Sequence, residues 1–268
     1  MMNIAITDVP NDIYTLSHFI DNTDSKVRYE DLSVLNALAV DSGAEIDLIK
    51  VSFGSLPEIL NSYVVLPVGA TFSYAEGPKI IRKKGRSLPM QPSLSVPGKQ
   101  TSAYVLARCF GPAYGEVFES SYKTVLQDVK TERADLGLLI HELNFDLEQA
   151  GCEVYMDLGA WWRDTYQLPL PLGGLVARRS LGATEMAELV KQIQASLRYA
   201  QKNHNHMIER CMDLCAWRDR YSLERSIEVW INEDTIWMSD EAKMSIQHLI
   251  QLKSSVTGFS SLSKVFHL

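Results

Sequence analysis

Cysteine is scarce in this chain of 268 residues, and its four copies occupy positions 109, 152, 211 and 215. They form no Cys-x-x-Cys pair, and no histidine lies at metal-ligand spacing from them. The common sequence patterns of zinc sites are therefore missing. We expect four free thiols in a reducing compartment, with no bound metal and no disulfide framework.

The sequence also lacks the signals for export, membrane insertion and nucleic-acid binding. Its first residues contain no basic stretch followed by a long apolar run, which a secretory signal peptide would need. Its apolar runs, such as 136–140, are much shorter than the roughly 20 residues that cross a bilayer. The formal net charge of −7 has the wrong sign for an electrostatic footprint on nucleic acid. We expect a cytoplasmic protein that neither inserts into a membrane nor binds nucleic acid.

Several widespread functional motifs are absent as well. The chain has neither Gly-x-x-x-x-Gly-Lys-Ser/Thr nor Gly-x-Gly-x-x-Gly, the two glycine-rich loops that hold phosphates. It has no Gly-x-Ser-x-Gly, the motif that presents a nucleophilic serine. The stretch 141–145 reads His-Glu-Leu-Asn-Phe and ends in Phe where a zinc-binding His-Glu-x-x-His needs its second histidine. Nucleotide-binding, serine-hydrolase and zinc-protease functions thus lose their usual support.

What the sequence does contain is a repeated succession of short apolar strands, turns and helices. The succession begins at 4–6, restarts at 93–96 after a polar stretch with two prolines, and becomes nearly all helix after 184. This pattern predicts an α/β protein with two lobes and a helical C-terminal tail. A cleft between two such lobes is a natural site for a small ligand. The predicted boundaries are 1–83 plus 181–268 for lobe 1, 93–180 for lobe 2, and 84–92 and about 175–185 for the crossovers.

Polar residues at the ends of two predicted strands are the first candidates for a site. His141 follows the apolar strand 134–140, at the carboxyl end where open α/β sheets bind ligands. It is either a base or a histidine with a local hydrogen bond. Thr101 and Ser102 open a predicted helix after the turn 97–100. Such a helix start can bind an anion such as a carboxylate, and the same residues equally fit ordinary N-capping. The sequence by itself leaves both alternatives open.

Further candidates lie in the first lobe and at a pair of tryptophans. The turn 8–12 opens the first predicted helix and is either an anion site or a capping turn. Ser52 lies at the end of the strand 47–53, and Asn36 lies inside a predicted helix, where asparagine is unfavourable. Trp161 and its neighbour point about 100° apart on a helix, so one ring can pack in the core while the other lines a cleft.

These segments occur in the order typical of one enzyme family. They read Val-Ser-Phe-Gly at 51–54, Ser-Val-Pro-Gly-Lys-Gln-Thr-Ser-Ala at 95–103, Leu-Ile-His-Glu at 139–142, Asp-Leu-Gly-Ala-Trp-Trp at 157–162 and Leu-Pro-Leu-Pro-Leu-Gly-Gly at 168–174. In these segments the chain resembles 1,4-dihydroxy-6-naphthoate synthase, of the futalosine route to menaquinone. The double tryptophan and the proline-rich run separate that family from its sister, chorismate dehydratase, which shares the fold.

The resemblance implies a fold like that of type II periplasmic binding proteins, with the ligand cleft between the two lobes. It implies a lyase that converts cyclic dehypoxanthine futalosine, a small-molecule carboxylate, into 1,4-dihydroxy-6-naphthoate without a metal or organic cofactor. His141 matches the base proposed for the family. The positions expected to bind the substrate are Pro10, Asn11, Asp12, Asn36, Ser52, Thr101, Ser102, Trp161, Leu172 and Gly173.

The chain also departs from the family pattern, in the segments 7–9, 75–76 and 143–147. Position 75, for example, is an alanine where the family usually has glycine, and Glu76 adds an acidic side chain. The resemblance is therefore that of a divergent member, and two other functions stay open. One is chorismate dehydratase, and the other is a non-catalytic protein that binds a small carboxylate on the same fold.

Overall fold

The computed structural model describes residues 1–41, 43–140, 147–215, 219–258 and 264–266. Its strands are β1 (Met2–Ile6), β2 (Ser25–Tyr29), β3 (Leu48–Ser52), β4 (Tyr63–Val65), β5 (Thr71–Ser73), β6 (Lys79–Lys83), β7 (Leu94–Val96), β8 (Val117–Glu119), β9 (Leu136–Leu139), β10 (Cys152–Asp157) and β11 (Leu170–Arg178). Its helices are α1 (Pro10–Asp21), α2 (Leu32–Val40), α3 (Leu56–Ile59), α4 (Ser102–Phe110), α5 (Val125–Lys130), α6 (Leu158–Tyr166), α7 (Gly182–Lys202), α8 (His204–Leu214), α9 (Arg220–Trp230), α10 (Glu233–Ile236) and α11 (Asp240–Thr257).

The strands form two separate sheets. The first has the order β2-β1-β3-β11-β4, with β5 pairing the other end of β11. Strand β1 is parallel to β2 and β3, whereas β11 runs antiparallel to β3, β4 and β5. The second sheet has the order β10-β6-β9-β7-β8, with parallel pairs around β7 and antiparallel pairs around β6. This two-sheet α/β arrangement confirms the predicted fold class.

The chain changes sheet between β5 and β6 and again between β10 and β11. Both changes lie closer to the N-terminus than the predicted crossovers at 84–92 and about 175–185. The two connecting segments meet at Gly77 and Gly159, and the Leu158 N–H donates to the Pro78 carbonyl oxygen over 3.0 Å. The division of the chain into lobes remains a proposal. The assignment of each strand to one of the two sheets favours crossovers between β5 and β6 and between β10 and β11.

The helical tail packs onto the first sheet and reaches the second lobe. Helix α7 buries one face against β-strand residues and α1, because its apolar residues recur every three or four positions. Helix α11 lies against β11 and α4, and the Lys253 Nζ donates to the Gly54 carbonyl oxygen over 2.6 Å. The four cysteines are free, and Cys152 and Cys211 are buried. No helix in the described ranges is both long and apolar enough to cross a membrane.

Candidate functional site

A cleft of about 930 Å³, counted with its open mouth, lies between the two lobes. Its walls come from the turn before α1, from β3, β5 and β11 of the first sheet, and from the start of α4 in the second lobe. Six residues predicted from the sequence line it, namely Asn11, Ser52, Thr101, Ser102, Leu172 and Gly173.

Four other predicted residues, Pro10, Asp12, Asn36 and Trp161, are not among those that line the cleft. Pro10 is the buried first residue of α1, where its fixed φ suits the helix start. The Asn36 side-chain oxygen accepts a hydrogen bond of 2.9 Å from the Ser52 N–H, so it holds the end of β3 in place. The Trp161 ring stacks on Phe110 at a centroid distance of 3.3 Å. Direct contact of Pro10, Asp12, Asn36 or Trp161 with a substrate stays a prediction.

His141 lies outside the described residues, so its predicted role is not tested. The residue before it, Ile140, follows β9 and lines the cleft.

Two serines connect the lobes at the wall of the cleft. The Ser102 N–H donates to the Ser52 Oγ over 2.7 Å, and the Ser102 Oγ accepts from the Gly54 N–H over 3.1 Å. Both hydroxyls lie within hydrogen-bond distance of the Leu172 carbonyl oxygen, at 2.7 Å from Ser102 and 3.1 Å from Ser52. Each serine has one hydroxyl proton, and acceptors inside the protein take up both. The pair thus joins β3, α4 and β11.

The Thr101 hydroxyl acts as the N-cap of α4. It accepts from the Tyr104 N–H over 3.1 Å and donates to the Gly98 carbonyl oxygen over 2.8 Å. The Ser102 N–H is bound to Ser52, which leaves the Ala103 N–H as the donor of this helix start without a partner in the described residues. Ala103 is buried and lines the cleft. The helix dipole adds partial positive charge at this point, so an oxygen anion fits here.

A buried ion pair stands beside the start of α1. The Lys50 Nζ lies 2.9 Å from the Asp12 Oδ1, and the Asp12 Oδ2 accepts hydrogen bonds from the Thr7 N–H and hydroxyl at 3.3 and 2.5 Å. Lys50 lines the cleft and was not singled out from the sequence. A signal was present, because a lysine at the centre of the apolar strand Leu48–Ser52 needs a buried partner.

The mouth of the cleft is acidic. Asp8, Glu30 and Asp31 line it, and Lys50 is the one cationic side chain among the described lining residues. The Asp31 carboxylate caps α2 by accepting from the Ser33 N–H over 2.9 Å. Because Asp12 already balances the Lys50 charge, an anionic ligand would depend on helix starts and neutral donors for its hydrogen bonds.

The side chains that the structure describes contain no group of three or more His, Cys, Asp or Glu residues that could hold a metal ion.

The sequence matches a family of known proteins. The family described as "Menaquinone biosynthesis" matches residues 2–254. The chain is 26% identical to the 1,4-dihydroxy-6-naphthoate synthase of Streptomyces coelicolor over 93% of this chain and 91% of that protein. It is 30% identical to the enzyme of the same name from Thermus thermophilus over 74% of each chain.

Solved structures share the fold. A crystal structure of a protein from Archaeoglobus fulgidus is similar with a TM-score of 0.88 and 25% identity, covering 97% of this chain and 98% of that one. The alkanesulfonate-binding protein of Xanthomonas axonopodis pv. citri, bound to MOPS, is similar with a TM-score of 0.69 and 11% identity, covering 97% and 94%. The second likeness shows the fold alone, which is that of periplasmic binding proteins.

Proposed function

The chain belongs to the menaquinone-biosynthesis family, and we propose that it is the lyase that converts cyclic dehypoxanthine futalosine into 1,4-dihydroxy-6-naphthoate. The names of the two curated relatives support this proposal. The structural observation that carries it is the cleft between the lobes, with the start of α4 on one wall and the buried Lys50–Asp12 pair on another. A cleft between two lobes is a common place for a small-molecule ligand.

The substrate carboxylate binds at the start of α4 in this proposal. The Ala103 N–H is the donor left over there, and the helix dipole favours a negative group. Thr101 and Ser102 keep the helix start in place, because their hydroxyls are bound to the Gly98 and Leu172 carbonyl oxygens.

His141 is the proposed general base. Its match to the family's base supports this role, and so does its position in the chain directly after Ile140, which lines the cleft. The substrate of the proposed reaction carries an aromatic carboxylate and a sugar-derived spiro ring. The base removes a proton from the substrate, the electron pair left behind drives cleavage of a ring carbon–carbon bond, and the sugar-derived part is released. Formation of the aromatic naphthoate makes the cleavage favourable. A neutral imidazole, with an ordinary pKa of about 6.5, suits proton removal near pH 7.

Closure of the two lobes would keep water away from the carbanion-like intermediate. The two segments that cross between the sheets meet at Gly77 and Gly159, and Gly77 lines the cleft.

The test is a direct assay with two substrates. Purified protein is incubated with cyclic dehypoxanthine futalosine and, in a parallel arm, with chorismate, and the products are identified by mass spectrometry. The proposal expects 1,4-dihydroxy-6-naphthoate in the first arm and unchanged chorismate in the second. Dehydration of chorismate would instead assign the sister activity, and binding without turnover in either arm would make the chain a binding protein.

A further inference from the structure

Thr71 is a buried polar residue of the cleft wall that the proposed reaction does not yet use. It is the first residue of β5, pairs with Gly173 of β11, and has 8% of its surface exposed. Its side chain lines the cleft together with that of Asn11.

The Thr71 hydroxyl oxygen is held by two groups that donate. The Lys50 Nζ lies 3.3 Å from it, and the Asn11 Nδ2 lies 3.2 Å from it. An ammonium group has no lone pair and the amide nitrogen only donates, so both occupy the acceptor side of the hydroxyl. The hydroxyl proton remains, and in the described part of the chain it has no acceptor. Thr71 is thereby fixed as a donor.

Trp230 is a second residue of the cleft wall whose side chain has a donor without a partner in the described residues. It is the last residue of α9, lines the cleft, and has 5% of its surface exposed. Its indole nitrogen is buried and, among the described residues, has no hydrogen-bond partner. An indole N–H can only donate, and burying such a group without an acceptor costs roughly 1–3 kcal/mol. A ligand oxygen would remove that cost.

We propose that Thr71 and Trp230 form a donor subsite, which binds an acceptor oxygen of the substrate away from the start of α4. This inference rests on the proposed function, which places the substrate carboxylate at the start of α4. The inference adds that the oxygens of the sugar-derived ring bind at the donor subsite. Two donors without an acceptor select carbonyl, ether, hydroxyl or carboxylate oxygens and disfavour ammonium groups. The Lys50 charge behind Thr71 polarises its hydroxyl and strengthens the bond to a ligand oxygen.

The test compares matched variants that remove or keep one donor. Thr71→Val removes the hydroxyl at constant shape, and Thr71→Ser keeps it. Trp230→Phe removes the indole N–H and keeps an aromatic ring, while Trp237→Phe is the control at a half-exposed tryptophan outside the cleft lining. Steady-state kinetics give KM and kcat for cyclic dehypoxanthine futalosine, and calorimetry on the same variants in a His141→Asn background gives its Kd.

We expect Thr71→Val and Trp230→Phe each to raise KM and Kd roughly tenfold, the effect of one lost hydrogen bond. Trp237→Phe keeps the parent values, and Thr71→Ser, which retains the hydroxyl, raises KM and Kd less than Thr71→Val does. The affinity for 1,4-dihydroxy-6-naphthoate stays unchanged in all four variants, because this product retains the carboxylate and lacks the sugar-derived ring. A purely structural Thr71 would instead lower the melting temperature and leave KM and Kd alone.

The possible failures are distinguishable. If the parent turns over the substrate and Thr71→Val has the same KM and Kd as the parent, the donor subsite is overturned and the proposed lyase activity stands. If the parent binds the substrate but forms no product, and Thr71→Val raises the Kd, the lyase activity is overturned and the donor subsite stands. Neither binding nor turnover by the parent overturns both. If Thr71→Val does not fold, Thr71→Ala decides by the same measurements.

Discussion

The Lys50 ammonium group lies 2.9 Å from the Asp12 carboxylate, and the two side chains are only 7% and 3% exposed. Removing the cation would leave the carboxylate buried with Thr7 as its remaining partner. We expect Lys50→Met to lower the free energy of unfolding by about 3–5 kcal/mol at neutral pH, because an uncompensated buried charge is costly. Urea titration followed by circular dichroism measures the change.

The control is the pair Lys243–Asp240, in which the Lys243 side chain is 20% exposed and the Asp240 side chain, 93% exposed, lies in water. Lys243→Met should change stability by less than about 1 kcal/mol, since water screens an exposed pair. If Lys50→Met unfolds at the parent urea concentration, the ion pair does not contribute to stability.

Gly77 and Gly159 lie in van der Waals contact where the connecting segments meet. A Cβ on Gly159 would approach the Gly77 Cα to 2.7 Å, and one on Gly77 would approach the Gly159 Cα to 2.4 Å. Because backbone atoms stand on both sides, we expect Gly159→Ala to cost about 1–3 kcal/mol of stability. Thermal unfolding measures the loss. Gly43→Ala is the control, since its nearest neighbour is the end of the Asp41 side chain at 3.3 Å.

The Asp128 carboxylate ties α5 to the strand that leads to α4. Burial raises the pKa of this carboxyl group, but hydrogen bonds from Ser120, Ser95 and Arg133 outweigh burial and hold the pKa below its ordinary value. A depressed folded-state pKa stabilises the fold above the unfolded pKa of about 3.9, and this contribution is lost as pH falls through the folded pKa. Asp128→Asn should therefore lower stability by about 1.5–3 kcal/mol at pH 7.

The pH dependence separates this effect from simple loss of packing. The difference in unfolding free energy between parent and Asp128→Asn should shrink below about pH 4, when the parent carboxylate takes up its proton. A difference that stays constant down to pH 2 would contradict the ionic explanation.

His141 carries the sharpest prediction about the reaction. If it is the base, His141→Asn should reduce turnover about 10²–10⁴-fold, because an amide cannot accept a proton at neutral pH. Substrate binding and folding should survive, as calorimetry and circular dichroism would show. His206→Asn, at an exposed position, should leave turnover unchanged. Parent-level turnover by His141→Asn would remove this residue from the mechanism.

Local patterns carried much of the fold and part of the site. The predicted strand 93–96 and the helix that begins near Thr101 correspond to β7 and α4, because an apolar run and an N-cap are fixed by neighbouring residues. The run 175–178 predicts a strand, and β11 begins five residues earlier than that run, at Leu170. Its first half contains proline and two glycines, which locally favour turns, and pairing with β5 and β3 overrides that preference.

The sequence by itself determined the succession of strands and helices, the helix starts at the cleft and the family resemblance, since each depends on residues close together in the chain. Only the tertiary structure decided that Lys50 meets Asp12, that Thr71 receives hydrogen bonds from Lys50 and Asn11, and that the Trp230 indole finds no partner within the described ranges. These contacts depend on the order of strands in the first sheet and on the packing of α9 beside β5. Hydrogen bonds between residues that are distant in the chain form only when the strand order brings those residues together, and a local sequence pattern does not specify the strand order.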